Sequence, residues 1–224
     1  MSTVAVVSGG LDSSVMAYLL RAQGHSLHLL SFDYGQRHRK ELDYARGLAA
    51  DLGAPWELCD LHAAGMTRFL RGSALTDSSV EVPEGHYADE SMRATVVPNR
   101  NAVMLSIACS LAGSIGAGAV AFAVHGGDHP IYPDCRPAFV AAFEAMERLA
   151  MEGMADLRVL APFVEVTKDA IVRIGAEHGV PFERTWSCYN GRALHCGRCG
   201  TCYERREAFA LAGVDDPTSY EVAA

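Results

Sequence analysis

The chain has 224 residues, half of them hydrophobic and 21% charged, enough for one soluble globular domain with a sizeable core and room for a small appendage. A net charge of -8 excludes a broad, sequence-independent grip on nucleic acid, which depends on neutralising phosphates with Lys and Arg. No charged stretch leading into an apolar run stands at the start, so no signal peptide is expected, and a reducing cytoplasm is the natural compartment for seven cysteines.

In chain order, short apolar runs alternate with longer helical patterns. The first strand is "TVAVVS" near Thr3, followed by a helix over Asp12 to Gln23. Next come "SLHLLSF" near Ser26, a helix over His38 to Leu52, and "PWELCD" near Pro55. Residues 77–93 are polar, with acids, Pro83 and Gly85, and read as a mobile loop over the ligand edge. A helix over Asn99 to Leu111 and the strand "AVAFAV" near Ala119 follow. Together they form an uncharged stretch from Ala102 to Val124, long enough on paper to cross a bilayer. Gly113, Gly116 and Gly118 break it, which favours a buried helix, a turn and a buried strand. A helix over Arg136 to Met151, the strand "LRVLAPF" near Leu157, and a helix over Val166 to His178 complete the pattern.

Strands that are continuously apolar and joined by helices imply a parallel sheet covered on both faces. The expected fold is therefore α/β: a doubly wound, mostly parallel, five-stranded Rossmann-like sheet. Residues 1–180 would be the nucleotide-binding core, and residues 181–224 a small zinc-binding segment packed on the same domain. Ligands of such sheets bind at the carboxyl ends of the strands near the switch point.

"SGGLDSS", from Ser8 to Ser14, lies between the first strand and the first helix. Gly9 and Gly10 permit close backbone approach, and Asp12, Ser13 and Ser14 can cap the helix start. Amide groups and the positive end of the helix dipole there form an anion site, although a ligand-free glycine turn has the same appearance. The Walker pattern and G-x-G-x-x-G are both absent.

Cys188, Cys196, Cys199 and Cys202, with seven, two and two residues between them, give four thiolates for a tetrahedral zinc. A shell filled by protein leaves no position for water, so the zinc should be structural. It would pin "TWSCYNG" and a last helix, "CYERREAFALAG", to the sheet edge. Disulfides are the alternative, disfavoured by a reducing compartment. Cys59 and Cys109 lie in apolar patterns and read as core. His125, Asp128 and His129 in "HGGDHPI" could suit a second metal, but a glycine-rich pocket loop explains them as well.

"SGGLDS" resembles the signature of the PP-loop ATP pyrophosphatases, which split ATP between its α- and β-phosphates. "FDYGQRH" from Phe32, "VPNRN" from Val97, "YPDCR" from Tyr132 and the cysteine knot narrow the resemblance to the 7-cyano-7-deazaguanine synthase family, with modest support from "SALTD" at Ser73. The motifs run in order from Ser8 to Cys202, nearly the whole chain.

The resemblance implies an ATP-dependent ligase that turns 7-carboxy-7-deazaguanine and ammonia into the nitrile on the queuosine pathway. Ser8, Gly9, Gly10, Leu11, Asp12, Ser13 and Ser14 would hold ATP with Mg2+, Asp12 either coordinating the Mg2+ or orienting the loop. Ser13 and Lys168 of "VTKDAIV" would hold phosphate oxygens, and Asp12, Ser13 and Lys168 would carry the catalysis. Lys168 as a solvated surface lysine is the competing view. Adenine would sit near Leu30 to Asp33. Substrate would meet Tyr34, Gln36, Arg37, Arg100, Asp134 and Arg136, the last two also readable as a structural ion pair. Arg39 and Lys40 read as the solvated start of a helix. The "HGGDHPI" loop departs from the family's usual residues and leaves its contacts open. Expected partners are the small-molecule substrate and a second copy of the chain, with no membrane or nucleic acid.

Two rivals remain at this stage. One is another PP-loop enzyme, such as a transfer-RNA thiolating or amidating ligase, with Cys135 as sulfur carrier. The other is a nucleic-acid-binding module built on the cysteine knot and on Arg192, Arg198, Arg205 and Arg206.

Overall fold

The computed structural model describes residues 1–87 and 90–221. Five parallel strands, β1 (Ser2–Val6), β2 (Ser26–Asp33), β3 (Trp56–Asp60), β4 (Ala119–Ala121) and β5 (Arg158–Leu160), lie in the order β3-β2-β1-β4-β5. The helices are α1 (Leu11–Ala22), α2 (Glu41–Leu52), α3 (Arg100–Ile115), α4 (Pro137–Ala150), α5 (Lys168–Glu177) and α6 (Gly200–Ala212). One apolar cluster joins α3 and α4 to one face of the sheet, and a second joins α1, α2, α5 and α6 to the other. The expected doubly wound architecture is therefore the one found. Its strand order reverses at β1 and β4, where crossovers leave to opposite sides and open a crevice.

The amphipathic periods explain the helices. In α1, Leu11, Val15, Met16 and Leu20 recur at helical spacing and are all buried. The outer strands are shorter than their apolar runs suggest. "AVAFAV" pairs only over Ala119–Ala121, and "LRVLAPF" only over Arg158–Leu160. Beyond them the Phe122 amide still donates to the Leu160 carbonyl, and then the chain peels away so that Phe122 and Val124 line the crevice. Hydrophobic character here serves a cavity wall as well as a sheet.

The uncharged stretch is a helix, a turn at Gly116 (φ 69°) and β4, and no described helix is long and apolar enough to cross a membrane. Expected as a buried helix, α3 is buried on one face only. Met104, Leu105, Ala108, Cys109 and Ala112 face the core, whereas Ser106, Ser110 and Ser114 are exposed.

The polar segment 77–93 is tied down in its described part. Arg37 donates to the Asp77 and Val80 carbonyls, and Gly85 donates to the Arg198 carbonyl beside a bridge between Glu84 and Cys199. Ala88 and Asp89 of that segment lie outside the described residues.

The last quarter of the chain docks on the core through Trp186. Its amide donates to the Gly9 carbonyl at 2.9 Å. Its ring stacks on His195 at 4.1 Å, and the Lys40 ammonium lies 4.2 Å from its centroid. Phe182 and Phe209 meet edge to face at 4.9 Å beneath α6, which packs along α5. Gly9 itself has φ +84°, and a Cβ there would fall 2.4 Å from the Glu41 carbonyl oxygen. Only glycine fits between the first strand, α2 and the docked segment.

Candidate active site at the carboxyl edge of the sheet

The crevice at the β1/β4 switch point is a cavity walled by the 8–13 turn, the ends of β2 and β4, the start of α3, and α6. Gly10 stands at the N-cap of α1 with no side-chain cap, so the expected capping by Asp12, Ser13 and Ser14 is not found. Those side chains are used otherwise. Ser13 Oγ donates to the Gly10 carbonyl at 3.2 Å and accepts the Ser8 amide at 3.3 Å, closing the turn on itself. Ser14 Oγ is buried, and neither Ser14 nor Gly9 reaches the cavity wall. The uncapped first turn thus presents its amide groups and the helix dipole to the cavity, as an anion site requires.

Lys168 is not a surface lysine. It opens α5 and carries its ammonium into the crevice, 2.5 Å from Asp12 Oδ2, 3.3 Å from Glu204 Oε2 and 3.3 Å from His125 Nε2. Burial works against its charge, but Asp12 and Glu204 outweigh that and raise its pKa. Burial likewise works against the Asp12 carboxylate, and Lys168 and His125 outweigh it, so its pKa falls. The two directions agree on an ion pair. Asp12 Oδ1 is buried with no hydrogen-bond partner.

His125 is 2% exposed and accepts the Gly127 amide at Nδ1. Its Nε2 faces Asp128 at 3.5 Å and Glu204 at 3.7 Å. The "HGGDHPI" loop is thus a pocket wall joined to α6. Among the described residues, the one group of side chains close enough to share an ion is the cysteine set.

Deeper in the cavity the walls are aromatic. Phe32, Tyr34, Tyr87, Tyr132 and Tyr189 line it together with Arg100, whose guanidinium lies 5.8 Å from the Tyr34 ring and donates to Tyr34 Oη at 3.4 Å. Burial pushes the Tyr34 hydroxyl up to about 12. Tyr34 and Arg100 are therefore where a flat ligand could meet them. The other four expected substrate residues are turned elsewhere. Gln36 ties the Tyr34 amide, the Phe32 carbonyl and Glu41 together, and Arg37 braces residues 77–80. Asp134 accepts the Asn101 amide at the start of α3, and Arg136 donates to the His129 carbonyl, so the two do not pair with each other. Each satisfies backbone groups that line or support the wall.

His38, Glu41, Tyr189 and Glu204 also line the cavity, unexpected from the sequence, and His125 and Asp128 line it as the pocket loop, the alternative to a second metal. His38 and Glu41 belong to "RHRKE", where Arg39 pairs with Asp33 and Lys40 covers Trp186. A charged run hid two buried members.

The cysteines form the third element. Their sulfurs lie within 4.8 Å of one another, with Cys196–Cys202 at 3.9 Å and Cys188–Cys199 at 4.0 Å. Four thiolates about 2.3 Å from one metal sit about 3.8 Å apart in a regular tetrahedron. A disulfide needs about 2.0 Å. The amides of Arg198 and Cys199 both point at Cys196 Sγ, a turn that Gly197 allows with φ +76°. Such donors favour thiolate over thiol. The set fits a metal.

A phosphate-type turn on a doubly wound parallel sheet, with a buried lysine across the switch point and a cysteine metal site beside it, defines a nucleotide-dependent α/β enzyme of PP-loop type. The comparisons narrow that class. The family model described as queuosine biosynthesis protein QueC matches residues 2–213, and the chain belongs to this family. The 7-cyano-7-deazaguanine synthase of Rhizobium etli strain CFN 42 is 61% identical over 221 residues, covering 99% of this chain and 92% of that one. The enzyme of the same name from Paracoccus denitrificans is 60% identical, with 99% and 94% covered. Among solved structures, U34-tRNA thiolase NcsA from Methanococcus maripaludis (13% identity, 99% and 74% covered) and NMN synthetase from Francisella tularensis (14%, 99% and 79%) each align with TM-score 0.50. At such identities these two share the fold alone.

The buried Glu41 sets a pH dependence. Burial pushes its carboxyl up to about 8 from an ordinary 4.5, against the Gln36 hydrogen bond and Arg100. The folded chain keeps this proton to about pH 8, whereas the unfolded chain releases it near 4.5. The contribution to stability is thus full below the lower value and lost as pH rises through the window. Glu41→Gln should flatten the fall in melting temperature between these limits. Parallel curves for the two proteins would exclude a buried, protonated Glu41.

Proposed function

We propose that this chain converts 7-carboxy-7-deazaguanine and ammonia to 7-cyano-7-deazaguanine at the expense of ATP. The observation that carries the reading is Lys168, held across the crevice from the 8–13 turn at the head of an aromatic cavity, in a chain 61% identical to an enzyme of that name. A carboxylate oxygen of the substrate attacks the α-phosphorus, and pyrophosphate leaves. Ammonia attacks the acyl adenylate, AMP leaves, and the amide remains. In a second round the amide oxygen is adenylated and departs with AMP while nitrogen loses its protons, giving the nitrile.

The chain's residues position and neutralise in these steps; none needs to attack. In this reading the amides of the 8–13 turn and Ser13 cradle phosphate oxygens, and Lys168 offsets charge building on the leaving pyrophosphate. The unpartnered Asp12 Oδ1 is the natural ligand for Mg2+, which would bring ATP in with its charge partly neutralised. Tyr34 and its aromatic neighbours stack the base, and Arg100 holds an anionic group. Gln36, Arg37, Asp134 and Arg136 act by supporting the wall.

The thiolate set suits zinc, whose closed shell would brace the turn at Cys188 and the start of α6. Residues 1–180 and 181–224 form one domain in this view, because both line one cavity. Reduced thiols and a small-molecule reaction suit the cytoplasm. The rival readings lose their supports. Cys135 is buried and its thiol is pushed up, the opposite of a reactive sulfur carrier. Arg205 is buried in structural bonds, while Arg192 and Arg198 pair with Glu221 and Glu84.

A second copy would cover α3 and α4. The outer face of α3 is uncharged, with Val103, Ile107 and Leu111 half-buried, and on the same layer Met146 and Leu149 of α4 stand exposed. Sedimentation should give the mass of two chains, and Leu149→Glu with Ile107→Glu should give one. A wild-type monomer at micromolar concentration would refute the dimer.

The decisive assay incubates the protein with ATP, Mg2+, ammonium and 7-carboxy-7-deazaguanine and follows products by mass. Nitrile and AMP should appear together, and Lys168→Ala should slow both about a hundredfold or more. AMP without amide or nitrile would point to another acceptor. Cys199→Ser should lose stoichiometric zinc and lower the melting temperature by roughly ten degrees. A fully folded, zinc-free, inactive variant would instead give the metal a part in the chemistry.

A further inference from the structure

We infer that Glu204 is the positioning residue for Lys168, the anchor that keeps the ammonium aimed into the phosphate site when Asp12 is drawn away; this rests on the reading of Lys168 as a phosphate ligand. A lysine ends in a compact charge on a flexible four-carbon stem, and nothing in its own covalent structure fixes its direction. Asp12 Oδ2, at 2.5 Å, would be sufficient to neutralise it. The site nevertheless supplies a second carboxylate, Glu204 Oε2 at 3.3 Å, and a third, Asp128, behind His125. Burying surplus negative charge beside a triphosphate site is unfavourable unless it has a task.

That task follows from where each acid sits. Asp12 belongs to the turn itself and has an unpartnered oxygen, so an incoming nucleotide with its cation competes for it. Glu204 comes from the opposite wall. It is 8% exposed, and its Oε1 lies 3.7 Å from His125 Nε2. Its backbone is held from both sides. Cys199 and Cys202 fix the first turn of α6, and the fully buried Arg205 binds Thr185, Ser187, the Phe182 carbonyl and Asp216. Glu204 therefore stays in place when Asp12 is engaged. By the same path, the cysteine segment acts on the reacting end of ATP without touching it.

The test uses zinc-loaded protein and Glu204→Gln, which keeps shape and removes the charge. Two readouts are taken at equal zinc content and melting temperature. First, with Mg2+ and a non-hydrolysable ATP analogue bound so that Asp12 is engaged, the side-chain 15N signal of Lys168, assigned with Lys168→Arg, should be protected from exchange in the parent and lost in Glu204→Gln. Second, kcat for AMP formation should fall at least tenfold, with KM for ATP no higher than in the parent, because a repulsive charge has gone as well. Glu204→Asp should recover part of kcat. An unchanged lysine signal in Glu204→Gln overturns the inference, as does a kcat loss that merely tracks lost zinc. If the parent makes neither AMP nor nitrile, the functional reading fails while the lysine signal still decides the role of Glu204.

Discussion

The buried ammonium of Lys168 is the constraint around which the crevice is built. A charge taken out of water costs several kcal/mol unless it is paired, and this one is paired by residues brought from far apart in the chain. Asp12 comes from the turn after β1 and Glu204 from α6, with His125 and Asp128 from the loop after β4. Satisfying the lysine obliges α5, α6 and both central strands to meet at one point. The opened switch point supplies the room, and the ion network dictates what fills it.

The C-terminal segment follows from the same demand. A parallel sheet closes its own faces with crossover helices but leaves its carboxyl edge open. Here that edge is walled by chain that returns after the fifth strand and is fastened at both ends. Trp186 is bound to the Gly9 carbonyl, and the four sulfurs gather about one point beside it. Trp186 and the four cysteines form one small buried cluster with Ala74 and Val82. A metal held by the four sulfurs would concentrate the fastening in those side chains. The amide of Trp186 then constrains the very glycine whose conformation shapes the phosphate turn.

Much of this was legible in the sequence because it is local. The 3.6-residue period of Leu11, Val15 and Leu20 gives α1, the continuous apolar runs give the strands, and the two Cys-x-x-Cys steps give a metal set. What escaped is tertiary. Glu204 sits within "YERREAF", where charges every residue or two suggest a solvated helix face, and only the docking of α6 on α5 buries it. His38 and Glu41 escaped for the same reason. The ends of "AVAFAV" and "LRVLAPF" misled in the opposite sense, since a cavity wall and a sheet interior select the same residues. Gln36, Arg37, Asp134 and Arg136 are polar residues in motif positions that serve the backbone of the wall.

Electrostatics at the crevice also bears on what can enter it. Three carboxyl groups, Asp12, Asp128 and Glu204, face two basic groups, Lys168 and His125, so acids outnumber bases in the cluster. A bare triphosphate would meet repulsion from the acids before it reached the amides of the 8–13 turn. The same phosphate accompanied by a divalent cation would find an unpartnered carboxylate oxygen ready for the cation and a lysine held aside for the anion. Under the proposed function, such a site would discriminate by charge state before shape. The aromatic cavity beyond, with the Arg100 guanidinium beside the Tyr34 ring, would suit a flat, anionic second ligand in the proposed reaction. In that reading, two ligands of like sign would be brought together by separating the groups that receive them: acids and lysine at the mouth, arginine and rings within.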